Sequence, residues 1–348
     1  MTASTRTRRI ATEEAFSIPE VAARLRDVAR SPSDSSDMAL VRGIYDAPGG
    51  TSALLEKLLD LEEGRIREMD ANGVDMHLLS LTAPGVQMFD ADTAVELAAL
   101  ANDRLAEVIS RHPERFAGLA SFAPQSPVRS AREMQRAITE LGLNGFIVNS
   151  HTHGEYLDDP KFWPVLEAAE GLNACLYIHP RGSAPGMAQV FRHYGLEGAV
   201  WSYGLEVSTH AVRMIVAGVF DRFPNLRICL GHMGEAVHFW LWRIDFMNTA
   251  ARGRGAAPKL ELKPSEYFQR NFVITTSGQE SDLALDFSIK ALGADKILWA
   301  IDHPYQPTPP AVAWMDAAPI SDADKELIYH GNAERIFHIR GRQDAGSA

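Results

Sequence analysis

Residues 90–149 read DADTAVELAALANDRLAEVISRHPERFAGLASFAPQSPVRSAREMQRAITELGLNGFIVN. Over 90–111, Val95, Leu97, Leu100 and Leu105 fall on or near one helical face, with Asp90 or Asp92 placed to cap the start. A short β-rich apolar run follows at 116–122. The pattern then repeats: Ser126 and Pro127 open a second helical segment that ends near 141, and 145–149 is again apolar and β-rich. Such alternation predicts parallel strands joined by helical crossovers. Outward from this stretch, the same β-like character recurs at 9–14, 74–81, 174–179, 226–231, 272–276 and 297–302, with a further helical segment at 160–171. Eight units of this length predict an α/β fold of the (β/α)8 TIM-like barrel type. An open doubly wound sheet fits the alternation too, but no GxGxxG or Walker sequence follows the first strand.

Two connections exceed the usual length, and both are predicted as insertions. One follows strand 1 and contains DVARSPSDSSDMALVRGIYDAPGG (27–50), ahead of a helix expected to begin near Ser52; the other follows strand 5 and is rich in glycine and aromatics. Long loops on the C-terminal face of a barrel build its pocket. No linker composition divides the chain, so a single barrel domain over 1–348 is expected.

The chain has 348 residues, 46% hydrophobic and 23% charged, with a formal net charge of −11. Its acids are dispersed, which gives no electrostatic footprint for nucleic acid or an anionic membrane. Cys175 and Cys229 lie inside apolar runs without CxxC spacing, as buried free thiols do in a reducing compartment. MTASTRTRRIATEE at the start has basic residues but no apolar stretch behind them, and no window is apolar enough to span a bilayer. A cytoplasmic location is expected.

Polar residues punctuate the ends of four of the β-like runs: Glu13 in TEEAF, His179 in YIHP, His232 in LGHMGE and Asp302 in AIDHPYQ. In a closed parallel barrel these ends meet at one mouth. Carboxylate and imidazole ligands from separate strands suit Zn²⁺ or Mn²⁺, and a catalytic site keeps a position open. Glu13, His179 and Asp302 supply three ligands; His232 is either a fourth ligand or a proton carrier beside the metal, its ring oriented by Glu235. Glu14 competes with Glu13, because only one of two neighbouring strand residues faces the barrel. Arg243, eleven residues after His232, either reaches over the site to hold a carboxylate or pairs with Asp245 on the surface.

The phrases RIATEEAF, VNSHTHGEYLD, YIHP, LGHMGEA, NFVITTSG and AIDHPYQ, spread from Arg9 to about Ile339, resemble the amidohydrolase-2 branch of the amidohydrolase superfamily. Within it the chain is most similar to metal-dependent aromatic acid decarboxylases of the 5-carboxyvanillate type. The resemblance implies Glu13, His179 and Asp302 as metal ligands, His232 beside the metal, and Arg243, Tyr305 and Tyr45 as substrate contacts. It implies nonoxidative decarboxylation of an ortho-hydroxylated aromatic acid with one divalent ion, no organic cofactor, and a homodimer or homotetramer. Asp302 is then the residue that protonates the ring carbon, with His232 and Glu235 in support. One departure stands out: the carboxyvanillate enzymes carry an arginine seven residues after the tyrosine, and this chain has Ser52 there. A metal-dependent hydrolase of lactones or amides is the alternative within the superfamily.

Overall fold

The computed structural model describes residues 6–47 and 52–339. Its eight strands are β1 (Ile10–Phe16), β2 (Met76–Leu81), β3 (Phe116–Ser121), β4 (Gly145–Asn149), β5 (Cys175–His179), β6 (Ile228–Leu230), β7 (Phe272–Thr275) and β8 (Ile297–Leu298). They pair in chain order, each parallel to the next. The chain running on from β8 meets β1 through Thr12 N–H to Trp299 O (3.1 Å) and Ala15 N–H to His303 O (2.7 Å). The barrel is thereby nearly closed, as the alternation of helix and strand predicted.

Inward-facing residues such as Ile10, Leu78, Leu119, Tyr177, Cys229, Val273 and Leu298 form one buried cluster, joined by Ile336 and Phe337 near the end of the chain. The outward faces pack beneath the helices. Helix Ala91–Arg111 buries Leu97, Leu105 and Val108, and it approaches β3 so closely that a Cβ on Gly118 would lie 2.6 Å from Leu105 Cδ2. Its cap is Asp90, whose carboxylate accepts the Asp92 and Thr93 N–H groups at 3.1 Å. Ser126 precedes helix Pro127–Thr139, yet its hydroxyl makes no capping bond. Both cysteines are free and buried. Among the described residues no helix is long and apolar enough to cross a membrane.

The insertions differ from irregular loops. After β1 come helices Pro19–Arg30, Met38–Tyr45 and Ala53–Leu59, with residues 48–50 of the quoted stretch outside the described residues. After β5 the main element is helix Ser202–Val216. A buried ion pair pins the two insertions together: Arg181 Nη2 lies 2.5 Å from Asp37 Oδ2, and Gly182 N–H donates to the other oxygen at 2.8 Å.

Strand ends differ from the sequence expectation where backbone groups find other partners. β8 stops at Leu298 rather than 302, because Trp299 N–H goes to Ile328 O and Ala300 N–H to Thr276 Oγ1. The N–H groups of Ile301 and His303 both go to the Glu14 carboxylate, at 3.0 Å each. β1 runs on to Phe16 with a slip in its pairing: Ala11 faces His77 but Glu14 faces Leu79, so β1 carries one extra residue in between.

Candidate active site

That slip is a β-bulge, and it decides which glutamate enters the barrel. Ile10 points inward, and strict alternation from it would send Glu14 inward as well. The extra residue resets the pleat, so Glu13 turns into the barrel and Glu14 turns out toward the β8 side. Glu13 is 3% exposed. Its Oε2 accepts from Thr275 Oγ1 at 2.9 Å and makes two further close contacts with Tyr177 Oη and Ser277 Oγ. Its Oε1 is buried without a hydrogen-bond partner.

His179 closes β5. Its Nδ1 lies 2.7 Å from Pro180 O and 3.1 Å from Asn149 Oδ1, which fixes the proton there and leaves Nε2 as a lone pair, 3.5 Å from Glu13 Oε1. Burial pulls its pKa down to about 4, so the ring is neutral at neutral pH. Asp302 follows β8 at a φ of +75°, a left-handed conformation that few side-chain-bearing residues adopt. The Glu14 bonds to residues 301 and 303 bracket this position and hold it. Burial, and then the nearby Glu13, push the Asp302 carboxyl well above its ordinary range. Ligand atoms of Glu13, His179 and Asp302 lie within 4.8 Å of one another, the one such group among the described residues. A partnerless buried carboxylate oxygen beside a free imidazole nitrogen and a second carboxylate is a donor set that fits one divalent cation.

His232 stands beside this group rather than within it. Five consecutive residues, His232 to Ala236, have φ between 48° and 63°. A left-handed turn of this kind costs about 1–2 kcal/mol for each residue other than glycine, so contacts around it must hold it. Ser277 Oγ accepts His232 N–H at 3.0 Å, and a Cβ on Gly234 would meet Ile274 Cγ2 at 2.6 Å. The turn folds Glu235 back beneath the ring, with Oε1 2.7 Å from His232 Nδ1. His232 Nε2 faces Glu13 Oε1 at 3.6 Å. Burial opposes a charge on this imidazole, but Glu13 and Glu235 outweigh it and raise the pKa to about 10.

Around the acids lies a narrow cleft lined by Ala15, Ser80, Leu81, Thr82, Ala83 and Ile147. Tyr305 Oη is 2.6 Å from Thr82 Oγ1, and burial together with Tyr45 pushes its phenol well up. Tyr45 is buried with its hydroxyl unpartnered, its pKa raised by burial to about 12. Tyr203 is a third phenol, raised by burial and by Asp37, with Asp302 a smaller contributor. Ser52 is occupied: its hydroxyl caps helix Ala53–Leu59 through Leu55 N–H (3.0 Å) and donates to Ile44 O (2.9 Å). Arg243 is exposed on helix Val237–Gly253. The surface pair with Asp245 is not the contact formed, since Asp245 holds Ser265 through its N–H (2.9 Å) and hydroxyl (2.6 Å).

The amidohydrolase family profile matches residues 55–339. The chain belongs to the amidohydrolase family. This amidohydrolase is similar to the crystal structure of 5-carboxyvanillate decarboxylase LigW from Sphingomonas paucimobilis, at 54% identity over 96% of this chain and 100% of that one, with a TM-score of 0.94. It is also similar to a 5-carboxyvanillate decarboxylase from Novosphingobium aromaticivorans complexed with manganese and 4-hydroxy-3-methoxy-5-nitrobenzoic acid (39% identity, 95% and 96% of the two chains, TM-score 0.92). Gamma-resorcylate decarboxylase of Rhizobium radiobacter is 36% identical over 96% of this chain and 99% of its own length.

Proposed function

We propose that the protein is a metal-dependent carboxy-lyase that removes CO₂ from a hydroxylated aromatic acid, with the hydroxyl ortho to the departing carboxylate. The observation that carries this reading is the partnerless Oε1 of Glu13 facing His179 Nε2, beside Asp302, in a chain whose full-length relatives are named for such decarboxylations. Glu13, His179 and Asp302 would hold the cation. When bound, it supplies Lewis-acid polarisation and a fixed orientation for the carboxylate and its ortho oxygen.

The chain's own residues account for the rest. Aryl decarboxylation is slow because the electron pair left on the ring has no stable home until that carbon is protonated. Asp302, at the mouth of the barrel beside Glu13 and His179, delivers a proton to the carbon bearing the carboxylate. The carbon–carbon bond then breaks, its electrons restoring the aromatic ring as CO₂ departs. His232, oriented by the Glu235 carboxylate on its Nδ1, offsets negative charge on the substrate oxygens. Tyr305 and Tyr45 are proposed to contact the ring substituents. Arg243, on the helix that continues from the His232 turn, is proposed to contact a substrate carboxylate.

Because Ser52 caps a helix, this segment offers no guanidinium to a second anionic ring substituent. A homodimer or homotetramer in the cytoplasm completes the proposal. An exposed row on one helix, Phe239 (64%), Trp240 (53%), Trp242 (75%) and Phe246 (60%), supports association. The test is an assay of CO₂ release by Mn²⁺-loaded protein from 5-carboxyvanillate, 2,6-dihydroxybenzoate and 2,3-dihydroxybenzoate, run beside a lactone panel assayed for acid release. Acid from the lactones with no CO₂ from any aromatic acid would overturn the proposal in favour of hydrolysis.

A further inference from the structure

One oxygen of Glu13 is surrounded by hydroxyls, and the other has none. Tyr177 lies two residues before His179 on β5, so both face the barrel interior, one layer apart. Thr275 and Ser277 stand in the same relation at the end of β7. Thr275 Oγ1 is 2.9 Å from Glu13 Oε2, and Tyr177 and Ser277 are in closer contact with the same oxygen. Ser277 uses a lone pair to accept His232 N–H at 3.0 Å, which leaves its proton free for the carboxylate. Thr275 also links the other two hydroxyls, its Oγ1 standing 3.1 Å from Tyr177 Oη and 2.9 Å from Ser277 Oγ. The far side of the carboxylate is closed by backbone: a Cβ on Gly231 would lie 2.9 Å and 3.0 Å from its oxygens and 3.0 Å from Tyr177 Oη.

We propose that Tyr177, Thr275 and Ser277 are positioning residues, a hydroxyl cradle that saturates Glu13 Oε2 and presents Oε1 alone to the cation. The inference rests on the reading of Glu13 as a metal ligand. Hydrogen bonds to the outer atom of a ligating group fix its orientation, and losing such partners typically costs about 10- to 100-fold in metal affinity. A cradle made of hydroxyls, with no charged donor, orients the carboxylate without cancelling the charge that attracts the metal.

Thr275 allows donor and shape to be separated. Thr275→Val keeps the shape and removes the proton; Thr275→Ser keeps the proton and removes the methyl. The measurement is Mn²⁺ affinity of the full-length protein by competition with a chromophoric chelator, alongside thermal unfolding of the metal-free form. The cradle predicts that Thr275→Val and Tyr177→Phe weaken Mn²⁺ binding by about 10- to 100-fold while Thr275→Ser stays near wild type. The reverse order, with Ser weak and Val tight, would show that the position acts through packing and would overturn the proposal. So would Val and Phe variants both within threefold of wild type. Should Thr275→Val fail to fold, Tyr177→Phe carries the same test. Wild-type protein that takes up no Mn²⁺ would reject the metal reading itself, a result separate from the order of the variants.

Discussion

Replacing Glu14 with alanine should cost the protein a large part of its stability. Glu14 is fully buried, and its two oxygens accept Ile301 N–H and His303 N–H at 3.0 Å each. Neither amide has another partner in view once the side chain is gone, because the β8 ladder has already ended at Leu298. Each buried amide left unpaired costs about 1–3 kcal/mol, so about 2–6 kcal/mol is at stake against a total stability of about 5–15 kcal/mol. Glu14→Gln keeps one carbonyl oxygen and turns an NH₂ toward the second amide, so a loss of about half that size is expected. The residue between the two amides is Asp302, at φ +75°, and its placement loosens with them. Urea unfolding should therefore show the ordered series wild type, Glu14→Gln, Glu14→Ala, and Mn²⁺ affinity should fall in the same order. If Glu14→Ala unfolds within about 1 kcal/mol of wild type, less than one lost amide bond is worth, the clamp is not what holds Asp302 and the argument fails.

Asp302→Asn removes the proton donor but keeps an oxygen near the metal; decarboxylation should fall about 10²- to 10⁴-fold, and a variant retaining more than about a tenth of the wild-type rate would reject the assignment. Breaking the Asp37–Arg181 pair with Asp37→Asn strands a buried guanidinium and should cost about 3–5 kcal/mol at neutral pH. Burial raises the Asp37 carboxyl but Arg181 outweighs it and holds it below its ordinary value; the pair's contribution is therefore present above the unfolded pKa of about 3.9 and is lost as pH falls through the lower folded value. The stability gap between wild type and Asp37→Asn should accordingly shrink in acid, and a gap unchanged from pH 6 to pH 2 by denaturant titration would contradict the pairing. Trp242→Glu, placed in the exposed aromatic row, should shift light scattering toward monomer without altering the melting of the isolated chain.

The elements most legible in the sequence were those set by periodicity. The strands ending at Asn149 and at His179, and the helix Pro127–Thr139 ahead of the first, sit within a residue or two of their predicted bounds, because apolar alternation and burial are the same fact seen twice. Convergence of Glu13, His179 and Asp302 was legible for the same reason, since strand ends in a parallel barrel share one rim. What alternation cannot encode is a change of register. Counted from Ile10, the pattern favours Glu14 as the inward acid, and only the bulge between Ala11 and Glu14 reverses the pair. Both glutamates thus serve one site from opposite faces of one strand: Glu13 turns a free oxygen toward the proposed cation, while Glu14 shapes the backbone that carries Asp302. At Ser52 the helix start was legible, but not that Ile44 O as well as Leu55 N–H would engage its hydroxyl. The left-handed turn at HMGEA is the extreme case. Nothing in the propensities of methionine, glutamate or alanine favours positive φ, so the turn must be imposed from outside, by Ser277 on its first amide and by Ile274 against Gly234. Residues that violate local preference so consistently cluster where geometry is dictated by chemistry, and here the geometry dictated is a carboxylate folded back onto the imidazole that faces Glu13.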